Sequence, residues 1–331
     1  MAIAEKELVD LEQFVAVLTA DYQKLEVRIR KIFHTVECEC KGVTLRLHVP
    51  TVSQGQAKIA ELVELLLDYM TTFALPRAEL KAVSDKYGKI TEEEYRIKRE
   101  RLHREAIDLF IKANRATNRN GEAGELLLYL LTEWILEAPQ LIAKLPLKTD
   151  PNMPVFGSDG IHFGYSKKHK NLILYTGEAK LVADVGRAIA EAAKSIAKML
   201  APDSMRHELR LVRRNLDFSG INESQKALLL SYLDPNEDHE NYNKRIDVIT
   251  CLVGFDFAGY RKLSPTCGDD ELSKLVRIEL EKWSAKIAAD FTSSGINTRT
   301  AEIFLFPLPS VQTLRDLFQQ RIGWNNDAGA S

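Results

Sequence analysis

The sequence predicts an α/β protein, with a mainly helical region over residues 1–118 and a region of alternating helices and strands over 119–331. Three observations support this. Apolar residues recur at helical intervals through most of the first third, helix-length and strand-length apolar segments alternate after Glu122, and a polar stretch with glycine over 117–121 separates the two patterns. A chain of 331 residues suits two domains at about 150 residues each.

Taken in order, residues 4–31 place Leu8, Leu11, Val15, Leu18 and Leu25 at helix-like intervals. Residues 35–40 and 43–49 flank Lys41-Gly42 and form a strand pair, with Val43, Leu45, Leu47 and Val49 alternating with polar residues. A helix follows over 56–75, carried by Ile59, Val63, Leu66, Met70 and Phe73. The next, over 91–114, opens on Thr91-x-x-Glu94, the spacing of a capping box. Beyond the linker, helices are expected over 122–138, 183–200, 222–233, 269–291 and 310–320. Strands are expected over 160–166, 171–180, 207–216, 245–256 and 300–306.

Composition excludes several functions. The formal net charge of −2 provides no global positive field to draw the chain onto nucleic acid. The four cysteines, Cys38, Cys40, Cys251 and Cys267, form no CxxC pair, which argues against a zinc module. No GxxxxGK[ST] loop occurs, so ATP use would belong to a partner. Glu5, Lys6, Glu7, Asp10 and Glu12 interrupt the stretch where a signal peptide would be apolar, and no apolar run approaches a membrane span. The expected location is the cytoplasm. No base-reading module is visible, which disfavours sequence-specific recognition.

The chemistry concentrates between Gly157 and Lys180. Two short strands joined around Lys168-His169 form a hairpin whose cross-strand partners sum to 337, placing Asp159 opposite Glu178. Period-two alternation puts Lys180 on the face of Glu178. Two carboxylates and the Ala179 carbonyl would make an oxygen-lined site for Mg²⁺ or Mn²⁺, because hard cations prefer oxygen ligands. Lys180 would orient or deprotonate water and offset charge on a phosphoryl centre, so the expected reaction is metal-assisted phosphodiester hydrolysis. Gly157, Gly160 and Gly177 bracket the acids and are expected to leave room for a ligand. A further acid is expected from the helix that starts at Glu122. Glu125 is preferred because it opens the apolar run, with Glu122 and Glu133 as alternatives and a solvated face as the plain reading of all three.

Glu125, the run Gly157-Ser158-Asp159-Gly160-x-His162 and the run Gly177-Glu178-Ala179-Lys180, followed by a helix, resemble the PD-(D/E)xK nuclease superfamily and, more closely, the HamA family of bacterial Hachiman anti-phage systems. The resemblance covers Gly121 to Phe306 and takes in the first 120 residues by general shape. It implies a restriction-endonuclease-like core and a metal-dependent DNase working with HamB, a superfamily 2 helicase. An RNase or repair nuclease with the same centre, or a non-catalytic scaffold for a helicase, are the alternatives. The superfamily's proline is absent here, since Ser158 precedes the Asp and the nearest prolines are Pro151 and Pro154.

His162 could contact metal or phosphate, or could equally be a packed histidine. Lys167, Lys168 and Lys170 at the hairpin tip are the candidate DNA contacts, because a phosphate backbone needs cations but no base reading. The 91–114 helix, with Arg96, Lys98, Arg99, Arg101 and Arg104, is the expected partner-docking face.

Overall fold

The computed structural model describes residues 11–38, 40–117, 121–148, 157–216, 222–234, 236, 239–266 and 269–324. Residues 4–10 of the expected first helix, 118–120 of the expected linker, Pro151, Pro154 and Cys267 lie outside these.

Residues 11–18 are helical (α1), and a 3-10 turn over Gln23–Val27 leads into β1 (Ile29–Glu37). One helix over 4–31 is therefore corrected. Leu25 and Ile29 are buried four residues apart, as in a helix, but Ile29 pairs with Pro50 in a strand. After Gly42, at φ +88°, come β2 (Val43–Pro50) and a small ladder of β3 (Val52–Ser53) and β4 (Gln56–Ala57). The helices α2 (Ile59–Ala74), α3 (Arg77–Ser84) and α4 (Glu92–Thr117) follow. The Thr91 capping box forms, with the Glu94 N–H donating to Thr91 Oγ1 at 3.2 Å and the Thr91 N–H to Glu94 Oε2 at 3.1 Å.

The chain continues through α5 (Glu122–Ile135), α6 (Leu145–Lys148), β5 (Gly160–Ser166), β6 (Asn171–Leu181) and α7 (Val185–Met199). Then come α8 (Pro202–Asn215), α9 (Glu223–Leu233), α10 (His239–Lys244) and β7 (Ile246–Asp256). A 3-10 turn, Ala258–Lys262, precedes α11 (Asp269–Ser293), β8 (Ala301–Leu308) and α12 (Val311–Arg321). The strand expected over 207–216 is the helix α8. Pro202 stands in its first turn, and Glu208, Leu209, Leu211 and Val212 form its buried face.

Six strands form one sheet in the order β1-β2-β8-β7-β6-β5. The four inner strands run parallel, and the edge strands β1 and β5 pair antiparallel with their neighbours. Alternation along the inner strands divides the core. Leu252, Phe304 and Phe306 face α2, α4, α5 and α12, whereas Cys251, Val253, Ile303 and Leu305 face α7 and α11. A third cluster joins α1, α8 and α9 to β5 and β6, with Phe14 and Phe163 stacked at 5.0 Å.

The division expected at residue 118 does not appear in this core. β2 pairs in parallel with β8, and α2 and α4 share one apolar cluster with α5 and α12. The 1–118 region thus supplies two strands of the sheet as well as helices.

Candidate active site

The hairpin holds the register that places the acids. Gly160 pairs with Gly177 and Ser166 with Asn171, so partners sum to 337 as expected. Pairing of β5 stops at Gly160, which leaves the next residues of β6 with an open backbone edge. Asp159 lies over that edge. Its backbone N–H donates to the Gly177 carbonyl at 2.8 Å, and its Oδ2 accepts from the Ala179 N–H at 2.8 Å. A strand residue sends its N–H and C=O from the same edge, so the Ala179 carbonyl faces this open side too.

A cleft of about 820 Å³ opens here, lined by Asp159, Ala179 and Lys180 and, from α5, by Glu122 and Glu125. Arg187 on α7 and Arg315 on α12 also line it. Gly124 lets α5 approach, because a Cβ there would stand 2.9 Å from Leu181 Cγ. Glu178 lies beside the cleft, buried, with its carboxylate ion-paired to Lys180 and hydrogen-bonded by Ser195. Burial lowers the Lys180 ammonium, but Glu178, with help from Asp159 and Cys251, more than offsets this, so its value is raised. Lys180 is held charged and suits orienting and charge-stabilising work better than proton abstraction.

Two lysines missed in the sequence reading complete the surroundings. Lys148, at the end of α6, places Nζ 2.6 Å from each Glu125 carboxylate oxygen and 3.5 Å from Asp159 Oδ1. Lys144, four residues earlier, is fully enclosed. Its ammonium donates to the Ser158 carbonyl, to Ser158 Oγ at 3.2 Å and to Glu208 Oε1 at 2.5 Å. Their spacing puts both on one side of a helical turn, where they hold the chain on either side of the Ser158-Asp159 peptide bond. The signal was the i, i+4 pair of lysines in an apolar run, Leu141-Ile142-Ala143-Lys144-Leu145-Pro146-Leu147-Lys148.

Several expected residues lie elsewhere. Glu133 lies about three turns further along α5 than Glu122, where its carboxylate accepts from Tyr22 at 2.6 Å and from the Gln140 N–H at 2.8 Å and meets Arg77 at 3.5 Å. His162 is buried with Nδ1 donating to the Ala138 carbonyl at 2.8 Å, and burial pulls it down to about 4. It is a neutral packed histidine and is not among the residues that line the cleft. Lys167, Lys168 and Lys170 are exposed at the tip of the hairpin, and Lys167 pairs with Glu12 at 2.9 Å. The tip lies at the far end of the 7-residue β5 from Asp159, roughly 20 Å away at about 3.3 Å per residue, so these lysines do not border the cleft. The three glycines leave space to protein atoms. A Cβ at Gly157 would stand 2.1 Å from Glu208 Oε2, at Gly160 3.2 Å from the His162 ring, and at Gly177 3.1 Å from Leu128.

Among the described residues no group of three or more His, Cys, Asp or Glu side chains is poised to hold a metal ion, and lysines engage Glu125 and Glu178. The donor set nevertheless suits a hard divalent cation. Every candidate ligand is oxygen, and Glu122 has a buried Oε2 with no hydrogen-bond partner. Burial first, then Asp159 and Glu122, raises the Glu125 carboxyl against the pull of Lys148.

The HamA family model matches residues 27–322, from the start of β1 to the end of α12. The chain belongs to the HamA family. HamA membership makes it a component of Hachiman antiviral defence, and the match spans residues on both sides of 118, as the pairing of β2 with β8 does. No curated protein matches the chain. Among the described residues no helix is long and apolar enough to cross a membrane.

One electrostatic consequence for this HamA protein is directly measurable. Burial, then repulsion from Asp159, pushes the Glu178 carboxyl from 4.5 up to about 7. The folded chain keeps a proton that the unfolded chain has released, so this group's contribution to stability is complete below about 4.5 and lost as pH rises through about 7. Glu178→Gln is expected to flatten that part of the melting-temperature profile of the metal-free protein. An unchanged slope would contradict the assignment.

Proposed function

We propose that this HamA protein is a metal-dependent nuclease that hydrolyses DNA phosphodiester bonds with little sequence preference, controlled by a HamB-like superfamily 2 helicase. The observation that carries the reading is Asp159 seated on the open edge of β6, with Lys180, Glu125, Arg187 and Arg315 lining the same cleft. Asp159, Glu178, the Ala179 carbonyl and Glu125 would hold Mg²⁺ or Mn²⁺. When bound, the ion supplies Lewis-acid polarisation of the phosphoryl group. The Ala179 N–H fixes the Asp159 carboxylate, so the edge and the acid are aligned before substrate arrives. Lys180 orients the attacking water and faces the charge that develops on the phosphoryl oxygens, while Arg187 and Arg315 receive flanking phosphates.

Purified protein incubated with supercoiled plasmid and Mg²⁺ is expected to nick and linearise it, and excess EDTA to stop the reaction. Cleavage of RNA alone would favour the ribonuclease alternative. Inactivity on both, with and without the helicase and ATP, would leave the scaffold reading.

A nuclease with no base reader needs restraint from outside its site, and the net charge of −2 leaves delivery to a partner. The first half of α4 supports a docking role. Arg99 and Arg101 are exposed there, and among the described side chains of this helix the fully buried ones, Ala106, Phe110 and Ala113, come later. Reversing Arg99 and Arg101 to Glu is expected to weaken copurification with the helicase while metal-dependent cleavage by the isolated protein stays unchanged. Undiminished copurification would move the interface elsewhere.

A further inference from the structure

We infer that Lys148 is a tethered counter-ion of the carboxylate site, occupying the place between Glu125 and Asp159 that a divalent cation must take, so that metal binding displaces its ammonium. The inference rests on reading the cleft as a metal site.

Three observations carry it. The first is position: Lys148 Nζ sits 2.6 Å from both Glu125 oxygens and 3.5 Å from Asp159 Oδ1, with its side chain only 20% exposed. A Mg²⁺ ion on the same oxygens would lie at about 2.0–2.1 Å from them, leaving no room for the ammonium between the same two carboxylates. The two cations are mutually exclusive there.

The second is charge. Lys148 brings one positive charge to a corner that holds Glu122, Glu125 and Asp159, and Glu122 Oε2 is buried with no hydrogen-bond partner. A divalent ion neutralises more of that corner than an ammonium does.

The third is a route of release. Lys144 anchors α6 through Ser158 and Glu208, whereas Lys148 is the last residue of that helix and reaches the cleft on a flexible four-carbon stem. Its ammonium can swing away while α6 stays in place.

A residue that only braced the fold would help metal binding, so its loss would weaken affinity. A competing cation predicts the opposite. Lys148→Met is expected to bind Mn²⁺ roughly tenfold more tightly than wild type in calorimetric titration, whereas Lys148→Arg stays near wild type. In EDTA, Lys148→Met should melt lower than wild type, because Glu125 loses its partner, and Mg²⁺ should raise its melting temperature further than it raises that of wild type.

A second measurement needs no variant. In wild-type protein, acylation of Lys148 by an amine-selective reagent, read by mass spectrometry, should rise on adding Mg²⁺ as the ammonium leaves its carboxylates. Mn²⁺ binding by Lys148→Met no tighter than by wild type, or Lys148 labelling equal with and without Mg²⁺ while calorimetry shows the ion bound, would overturn the inference alone. Failure of both proteins to bind Mn²⁺ would overturn the metal-site reading together with it.

Discussion

Lys180→Ala is expected to lower plasmid cleavage by roughly 10²–10³-fold, the usual cost of removing one charge-stabilising donor from a reacting centre. The ammonium is the cleft-lining cation beside Glu178, and its ion pair with that carboxylate fixes where it points. The fold should survive. Glu178 loses its partner, but a carboxyl already raised to about 7 takes up a proton instead of remaining as a buried charge. Rates measured at saturating Mg²⁺, with a melting curve on the same sample, separate loss of chemistry from loss of structure. Wild-type cleavage by a folded Lys180→Ala protein would remove Lys180 from the centre.

The largest effect on stability is expected at Lys144. Its side chain and that of Glu208 are 2% and 3% exposed, and Ser158 Oγ donates to the same Glu208 oxygen at 2.6 Å. Lys144→Ala strands a buried carboxylate and should cost about 3–5 kcal/mol in denaturant unfolding. The double variant Lys144→Met with Glu208→Leu should recover most of that loss, since an apolar pair of similar volume removes both desolvation costs. Cleavage should not recover in parallel, because Ser158 and the adjoining Asp159 lose the contact that holds them. A single-variant loss below about 1 kcal/mol, the usual ceiling for an exposed pair, would show that the pair is solvated in solution.

The hairpin was legible because its information is local. A turn at Lys168-His169 fixes every partner along both strands, and Asp159, Glu178 and Lys180 follow by counting. Helix α8 was misread for the opposite reason. Leu209 and Leu211 alternate with polar residues like a strand, and Glu208 disguises the helical stripe because a charged residue occupies a core position. Its burial depends on Lys144, 64 residues away, which no local pattern displays. The same holds for β1 and β2, which look like a freestanding strand pair until β8 is known to lie beside β2. Among the glutamates, helical periodicity could not tell Glu133 from Glu122 and Glu125. Contacts with Tyr22 and Gln140 separate them.

Strand β8 follows the other seven in chain order yet lies in the middle of the sheet, between β2 and β7. A growing chain must therefore keep β2 waiting for more than two hundred residues of synthesis, with its inner edge unpaired, until Ala301–Leu308 arrives to join both halves. Helix α12, which brings Val311 and Arg315 to the cleft, is made only after that. A message cut short before β8 thus yields a chain with two bare strand edges and a cleft missing one wall, open to aggregation and proteolysis. Synthesis of β8 and α12 and assembly of the cleft are bound to the same event.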